Sequence, residues 1–310
     1  MVASTKKGMA SVVIPLYGQF DVARARASAE SVLAQGGIDL EVVVSEQGEF
    51  PRFPKTAGVK HFFSYHKPQT ELSDFNPGNV RNRGVLNSTG EFVYTIDADI
   101  VFLTTDYLSR AIEILESNGG HVLFRPRMRR LPISDFTVFY EWVKQQGIIQ
   151  AISRLDFGQN YIATIDGAPR KVRVFEKEST YRKTFTAFEE DFQAFSRGNN
   201  NGREPMFWNE NRHCGGNLFR REQFDTVGGY CEDFVNWGCE DSDLQWKLSD
   251  TCGIEFFPDD FEVIHLDHPK GYFSPEMWSR NEKICALRKI EGVETAIKAD
   301  RLVYSGGKND

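Results

Sequence analysis

Short apolar runs rich in Val and Ile alternate with stretches of helical period over the first 120 residues, and this alternation most narrows what the chain can fold into. Ala10 to Leu16 is such a run, broken by Pro15, and it reads as a buried strand. From Asp21 to about Gln35, Val22, Ala25, Ala29, Val32 and Leu33 fall on one helical face, and Gly36-Gly37 stops the helix. Leu40 to Val44 is predicted as the second strand and Val59 to Tyr65 as the third; Gly78 to Leu86 is predicted as a helix. Glu91 to Ile96 is a further strand, ending at Asp97-Ala98-Asp99, and Thr105 to Asn118 is a helix closed by Gly119-Gly120. Strands alternating with helices imply an α/β fold with a parallel, doubly wound sheet. Such sheets bind ligands beyond the carboxyl ends of their strands. Three polar elements stand there: Pro15-Leu16-Tyr17, Ser45-Glu46 and Asp97-Ala98-Asp99.

The second half is less regular. Phe136 to Ile152 is predicted as an amphipathic helix carrying Trp142, Tyr161 to Phe175 as a hairpin around Asp166-Gly167, and Ser196 to Arg203 as a Gly/Asn-rich loop. Trp237-Gly238-Cys239-Glu240-Asp241-Ser242-Asp243 leads into a helix through Leu248. Ile254 to Phe257 and Phe261 to Ile264 read as short strands, and Ser274 to about Lys298 as a helix with a charged face.

Five constellations carry potential chemistry. In Asp97-Ala98-Asp99, two carboxylates at the end of a strand can hold a hard divalent cation together with diphosphate oxygens, or simply cap the next helix. His265 and His268, three apart and flanking Asp267, can complete a carboxylate metal site, or bond to loop backbone. Glu240-Asp241-Ser242-Asp243 sits at a helix start, where acids complement the helix dipole. That reading covers Asp243 well but leaves Trp237-Gly238 unexplained, and a shaped pocket with a carboxylate general base accounts for both. In Cys214-Gly215-Gly216-Asn217 the paired glycines allow close backbone approach to a ligand, or form an ordinary turn. Arg81 and Arg83 can face a diphosphate or lie on a solvated helix face.

In this order the elements resemble a glycosyltransferase of the GT-A fold. Ser11 to Tyr17, with the helix end Glu30 to Gln35, resembles the opening of the inverting glycosyltransferases of family 2, and Gly78 to Gly84 and Asp97-Ala98-Asp99 match its later motifs. Gly215-Gly216-Asn217 through Trp237-Gly238-Cys239-Glu240-Asp241 resembles the C-terminal motif of β-1,4-galactosyltransferases and polypeptide N-acetylgalactosaminyltransferases. The resemblance covers about residues 10–120 and 212–270. It implies a Rossmann-like mixed sheet flanked by helices, with a nucleotide-sugar-binding half over residues 1–120 and an acceptor-binding and catalytic half over 121–310.

The resemblance also implies roles. Pro15 and Tyr17 would border the uracil of a UDP-sugar, and Glu46 would hold base or ribose. Ser45 stands where the family often carries an Asp, a departure that bears on nucleoside preference. Arg81 would lie near base and phosphates, Asp97 would touch ribose or metal, and Ala98 lies between them in the donor site. Asp99 would bind Mn²⁺ or Mg²⁺ with His268, and His265 is the further candidate ligand. Gly216 and Asn217 would face the donor sugar beside Trp237, Asp241 would be the general base, and Glu240 would hold a sugar hydroxyl. The reaction implied is transfer of a hexose or N-acetylhexosamine to an acceptor hydroxyl with inversion.

Two other classes stand beside this reading. A nucleotidyltransferase usually opens with a Gly-rich loop, which Pro15-Leu16-Tyr17 replaces. A non-catalytic carbohydrate-binding protein would be expected to lose a metal ligand or the base, yet Asp97, Asp99, His268 and Asp241 are present. The acceptor, a glycan or another hydroxyl compound, is not specified. The segment from about 125 to 211 matches no motif and holds Arg125, Arg127, Arg129, Arg130, Arg170, Lys171, Arg173, Arg182 and Lys183. These form a solvated surface or a basic wall for an acidic partner. A net charge of -7 and a pI near 5.5 argue against a nucleic-acid acceptor. No run of 18 apolar residues appears, so any membrane contact is expected to be peripheral. Five scattered cysteines and the absence of an apolar signal core near the start lead to the expectation of a cytoplasmic protein.

Overall fold

The computed structural model describes residues 5–18, 20–67, 75–131, 133–155, 160–165, 168–173, 212–268 and 274–306. The expected loop at Ser196–Arg203, the turn Asp166-Gly167 and the basic residues Arg182 and Lys183 lie outside the described residues.

The strands are β1 (Lys6–Tyr17), β2 (Asp39–Gly48), β3 (Val59–Tyr65), β4 (Gly90–Thr95), β5 (Ile100–Phe102), β6 (Val122–Phe124), β7 (Arg127–Leu131), β8 (Asn160–Ile165), β9 (Ala168–Arg173), β10 (Asn217–Arg220), β11 (Ile254–Phe256) and β12 (Glu262–Leu266). The helices are α1 (Val22–Leu33), α2 (Pro77–Leu86), α3 (Tyr107–Ser117), α4 (Ile133–Gln146), α5 (Ile148–Ser153), α6 (Arg221–Val227), α7 (Glu240–Thr251), α8 (Pro275–Glu291) and α9 (Val293–Gly306).

Seven strands form the main sheet in the order β11-β6-β10-β4-β1-β2-β3. The N-terminal strands pair in parallel, as their unbroken apolar runs predict. The sheet is nonetheless mixed, because β10 enters antiparallel between β4 and β6. Alternation along each strand sorts side chains between two cores. Val12, Ile14, Val42, Val44 and Tyr94 pack on the α1 and α3 side with Ala25, Ala29 and Leu108. Val13, Val43 and Val93 pack on the other, with Val85, Phe224, Leu244 and Ile297. On that second side Gly84 brings α2 so close to β1 that a Cβ there would collide with the Val13 side chain. A second sheet, β5-β12-β7, joins β12 antiparallel to β5 and parallel to β7, and α4 and α5 cover it.

The segments predicted as single long helices are each divided at a glycine. Gly147 (φ 83°) separates α4 from α5, and Gly292 (φ 92°) separates α8 from α9. β2 continues through Ser45-Glu46-Gln47 to Gly48 instead of ending at Val44, because β3 pairs with it as far as Gly48↔Tyr65. The predicted hairpin is present as antiparallel β8 and β9.

Pro15 opens the site. Val13 accepts a hydrogen bond from the Ile96 N–H (3.1 Å), so the same edge of β1 two residues on belongs to Pro15, which has no N–H to give. The β1–β4 ladder stops at Val13↔Thr95, while β1–β2 pairing runs on to Tyr17↔Gln47. The chain beyond β4 is thereby released from the sheet, and it carries Asp97, Ala98 and Asp99.

Candidate active site

A cavity of about 300 Å³ lies over the carboxyl ends of β1 and β4. Pro15, Tyr17, Arg81, Asp97, Ala98, Asp99, Trp237, Glu240, Asp241, His265 and His268 all line it, so the structure brings most of the predicted site residues together.

One wall is a carboxylate flanked by two imidazoles. The Asp99 backbone carbonyl accepts from Leu266 N–H at 2.8 Å, where β5 and β12 pair, and this brings Asp99 to the histidines. Asp99 Oδ2 lies 2.9 Å from His268 Nε2 and 3.5 Å from His265 Nε2. Burial would raise the Asp99 pKa, but the two histidines outweigh it and hold the carboxyl well below its ordinary value. Asp267 meets His265 Nδ1 at 2.8 Å and is itself held by Arg130 Nε at 2.7 Å, which turns His265 Nε2 toward Asp99. The ligand atoms of Asp99, His265 and His268 all lie within 4.8 Å of one another, and Asp99 Oδ1 is buried without a hydrogen-bond partner. One carboxylate and two imidazoles with a spare oxygen fit a divalent transition metal such as Mn²⁺.

The opposite wall is the first turn of α7. Glu240 is buried and its Oε2 accepts from Gly238 N–H at 3.2 Å. Burial, reinforced by Asp241, pushes the Glu240 carboxyl up to about 7. Burial also raises the Asp241 pKa, opposed by Arg81. Tyr230 donates its hydroxyl to Asp241 Oδ1 at 3.3 Å.

Arg81 ties the walls together. Arg81 is 3% exposed, and its guanidinium pairs with Asp97 and stands 3.4 Å from Glu240 Oε1 and 3.9 Å from Asp241 Oδ2. Although burial opposes it, the surrounding carboxylates raise the Arg81 pKa, so it stays charged. Gly215 permits this packing: a Cβ there would lie 2.9 Å from Asp97 Oδ1.

Aromatic rings flank both ends. Tyr17 stacks on Phe75 with centroids 3.9 Å apart, and His268 meets Phe20 edge-on at 5.1 Å. Trp237, 37% exposed, tilts against Trp278 at 5.5 Å.

Three predicted residues are placed away from the cavity. Glu46 is buried and occupied: its carboxylate accepts from Arg52 N–H (2.9 Å) and Phe53 N–H (3.1 Å) and meets His61 Nε2 at 2.7 Å. These contacts hold the carboxylate within its own loop and against β3. Gly216 packs its Cα against Pro126 and His213. Asn217 is fully buried, receiving Gln245 Nε2 at 2.9 Å and donating to the Tyr230 hydroxyl at 3.4 Å. It therefore supports the tyrosine that supports Asp241. The basic residues of β7 are also engaged: Arg127 with Asp259, Arg129 with Glu262 and Arg130 with Asp267, which favours the solvated-surface reading for them.

His213, Arg125, Tyr230 and Trp278 belong to the site or its support and were not singled out in the sequence for that role. Arg125 and Cys239 carry the signal of positive φ (53° and 75°), which sequence does not display at a non-glycine residue.

A doubly wound mixed sheet with an acidic, histidine-bearing cleft at its strand ends is the architecture of the GT-A glycosyltransferases. Glycosyl transferase family 2 matches residues 11–179, more than half of the chain, and the chain belongs to that family. A second family, described as the N-terminal domain of galactosyltransferase, matches residues 201–269. No curated protein matches the sequence. Among solved structures, the chain is similar to Staphylococcus aureus TarS 1-349 in complex with UDP, at 15% identity and a TM-score of 0.47, covering 90% of this chain and 64% of that one. The uncomplexed TarS 1-349 is 14% identical with a TM-score of 0.48, covering 95% and 71%. The same fragment with UDP-GlcNAc is 14% identical with a TM-score of 0.47, covering 90% and 65%. The chain thus spans a little under two-thirds of the first of these. Among the described residues no helix is long and apolar enough to cross a membrane.

Proposed function

We propose that this glycosyltransferase is metal-dependent and inverting, takes a hexose or N-acetylhexosamine from a UDP-sugar, and uses Asp241 as general base toward an acceptor hydroxyl. The carrying observation is that one cavity has Asp99, His265 and His268 on one side and the Glu240–Asp241 pair on the other, joined by Arg81 and Asp97. Single displacement needs this separation, with a base on the acceptor side and cation-compatible groups on the leaving-group side.

Asp241 takes the proton of the acceptor hydroxyl as its oxygen attacks the sugar carbon. Its raised pKa makes it a stronger base than a solvated carboxylate, and Tyr230 and Arg81 fix its direction. Glu240, pushed up to about 7, is protonated in part of the population near neutrality and can donate to a sugar hydroxyl. The stacked Tyr17 and Phe75 supply the aromatic edge for a nucleobase, with Pro15 beside them. A divalent cation held by Asp99, His265 and His268 supplies charge neutralisation for the leaving diphosphate. The donor seats mainly against residues 1–120, the acceptor against 121–310, and Trp237 walls the acceptor side. The acceptor is a glycan or another hydroxyl compound.

The test is a screen of UDP-sugars by UDP release, with Asp241→Asn as the control. The variant is expected to bind UDP in the presence of Mn²⁺ as the parent does and to lose transfer. Parental transfer by the variant removes Asp241 from the role, and metal-independent UDP binding by the chelator-treated parent removes the metal.

A further inference from the structure

His213 lines the cavity without a task. It is 4% exposed, yet its Nε2 is buried with no hydrogen-bond partner. Asp97 Oδ2 lies 3.7 Å away, beyond a hydrogen bond. A buried ring nitrogen without a partner is uncommon and calls for a ligand or another explanation. The ring cannot turn away easily. Its backbone N–H is held by the Pro126 carbonyl at 2.9 Å, and the ring packs closely on Gly216, where a Cβ would lie 3.1 Å from His213 Cδ2. The Asp97 it faces is ion-paired with Arg81, which also stands beside Glu240 and Asp241, so His213 sits where the two walls of the cavity join. In a displacement reaction, that is where the bond between sugar and diphosphate would lie.

We propose that His213 is a further donor-binding residue whose Nε2 hydrogen-bonds an oxygen of the nucleotide's diphosphate. The inference rests on the UDP-sugar reading above. Among the groups lining the cavity, Arg81 is already committed to three carboxylates, and Asp97 and Asp241 repel phosphate. His213 Nε2, by contrast, is engaged by no carboxylate within hydrogen-bond distance and keeps its donor for a phosphate oxygen.

The experiment measures the affinity of the full chain for UDP and for uridine by calorimetry, with Mn²⁺ present, in the parent, His213→Leu and His213→Gln. Loss of one hydrogen bond to a charged oxygen corresponds to about a tenfold or greater weakening. His213→Leu is expected to lose that factor for UDP while keeping parental uridine affinity and parental Mn²⁺ affinity without nucleotide. His213→Gln, which keeps a donor of similar reach, is expected to recover most of it. Equal weakening for UDP and uridine assigns the residue a structural role and overturns the proposal, as does lost Mn²⁺ affinity without nucleotide. Unchanged UDP affinity in a folded His213→Leu overturns it too. Should the leucine variant not fold, imidazole ¹⁵N spectra of the parent decide: a His213 Nε2 shift with UDP but not uridine supports the contact, and no shift overturns it. A parent that binds no UDP fails at the earlier step and refutes the donor reading itself.

Discussion

Replacing Asp300 with Asn should cost about 3 kcal/mol of folding stability, because Asp300 completes a buried quartet of charges. Asp243 and Lys247 come from α7, Arg288 from α8 and Asp300 from α9, and none is more than 7% exposed. Arg288 grips Asp243 with Nε at 2.8 Å and an Nη at 3.0 Å, and reaches Asp300 at 2.6 Å. Lys247 pairs with Asp300, donates to the Gly229 carbonyl at 2.6 Å, and stands 3.7 Å from Asp243. The two cations and two anions cancel. At these separations and an effective dielectric near 20, each direct contact is worth roughly 6 kcal/mol of attraction, against a desolvation cost of several kcal/mol per ion. Removing the Asp300 charge leaves a net positive charge in the interior, for which the usual cost is about 3–5 kcal/mol. Asparagine keeps one acceptor oxygen, which places the loss at the lower end. Urea unfolding followed by tryptophan fluorescence measures it. The double variant Lys247→Met with Asp300→Leu removes one charge of each sign, and is expected to recover at least half of the loss. A cost below 1 kcal/mol for Asp300→Asn, or a double variant worse than either single one, would refute the reasoning.

Other outcomes follow from equally local features. Glu41 is held by Ser11, Thr89 and Lys60, and although burial alone would raise its pKa, these partners lower it from 4.5 to about 2. A carboxyl depressed on folding stabilises above its unfolded pKa and loses that contribution as pH falls from 4.5 toward 2. After allowing for the half-exposed Lys60, the contribution is about 2 kcal/mol. Glu41→Gln should flatten acid unfolding in that window, and an unchanged profile would contradict this. Gly215→Ala puts its Cβ 2.9–3.1 Å from the Asp97 carboxylate, which must swing into the cavity and off Arg81. Sugar transfer should fall at least about tenfold while the unfolding midpoint shifts little, since the Asp97 side chain is partly exposed and Arg81 keeps Glu240 and Asp241 beside it. Gly84→Ala, by contrast, drives a methyl into Val13 and should cost about 1–3 kcal/mol in urea unfolding through overpacking.

What could be read from the sequence follows from range. β1, β2 and β4 announce themselves because buried parallel strands need unbroken apolar runs, and the residues at their ends are then placed by the fold. β10 has only four residues, Asn217–Arg220, and its antiparallel insertion between β4 and β6 is a tertiary choice that no local pattern encodes. The breaks at Gly147 and Gly292 lie within otherwise periodic stretches, and a lone glycine does not declare a positive φ. At the site, spacing grouped Asp97 with Asp99 and His265 with His268, but the residue between the two walls, His213, adjoins a Cys-Gly-Gly turn with no periodic signal. Glu46 shows what the sequence leaves out at a strand end. Its position at a strand end predicted ligand contact, and the carboxylate is consumed by Arg52, Phe53 and His61.

The two walls have separate structural foundations, which bears on how this cleft can change without collapsing. Asp99 meets His265 and His268 because β5 pairs with β12 in the second sheet, with His265 opposite Ile100. Glu240 and Asp241 are aimed by α7, and α8 fixes α7 along one face. Trp278 lies on Gly238, Asn281 donates to the Val235 and Gly238 carbonyls at 2.9 and 3.2 Å, and Arg288 clasps Asp243. Positions 278, 281 and 288 recur at helical spacing, so one side of α8 supports the whole approach to Asp241. Arg81 and Asp97 are where the two supports meet, since Arg81 contacts carboxylates belonging to both. A change at the outer end of the α7–α8 support, at Trp237 and Trp278, therefore leaves the β5–β12 pairing that holds the Asp99 wall untouched. The buried charge quartet sits at the other end of that support and anchors α7 from the interior.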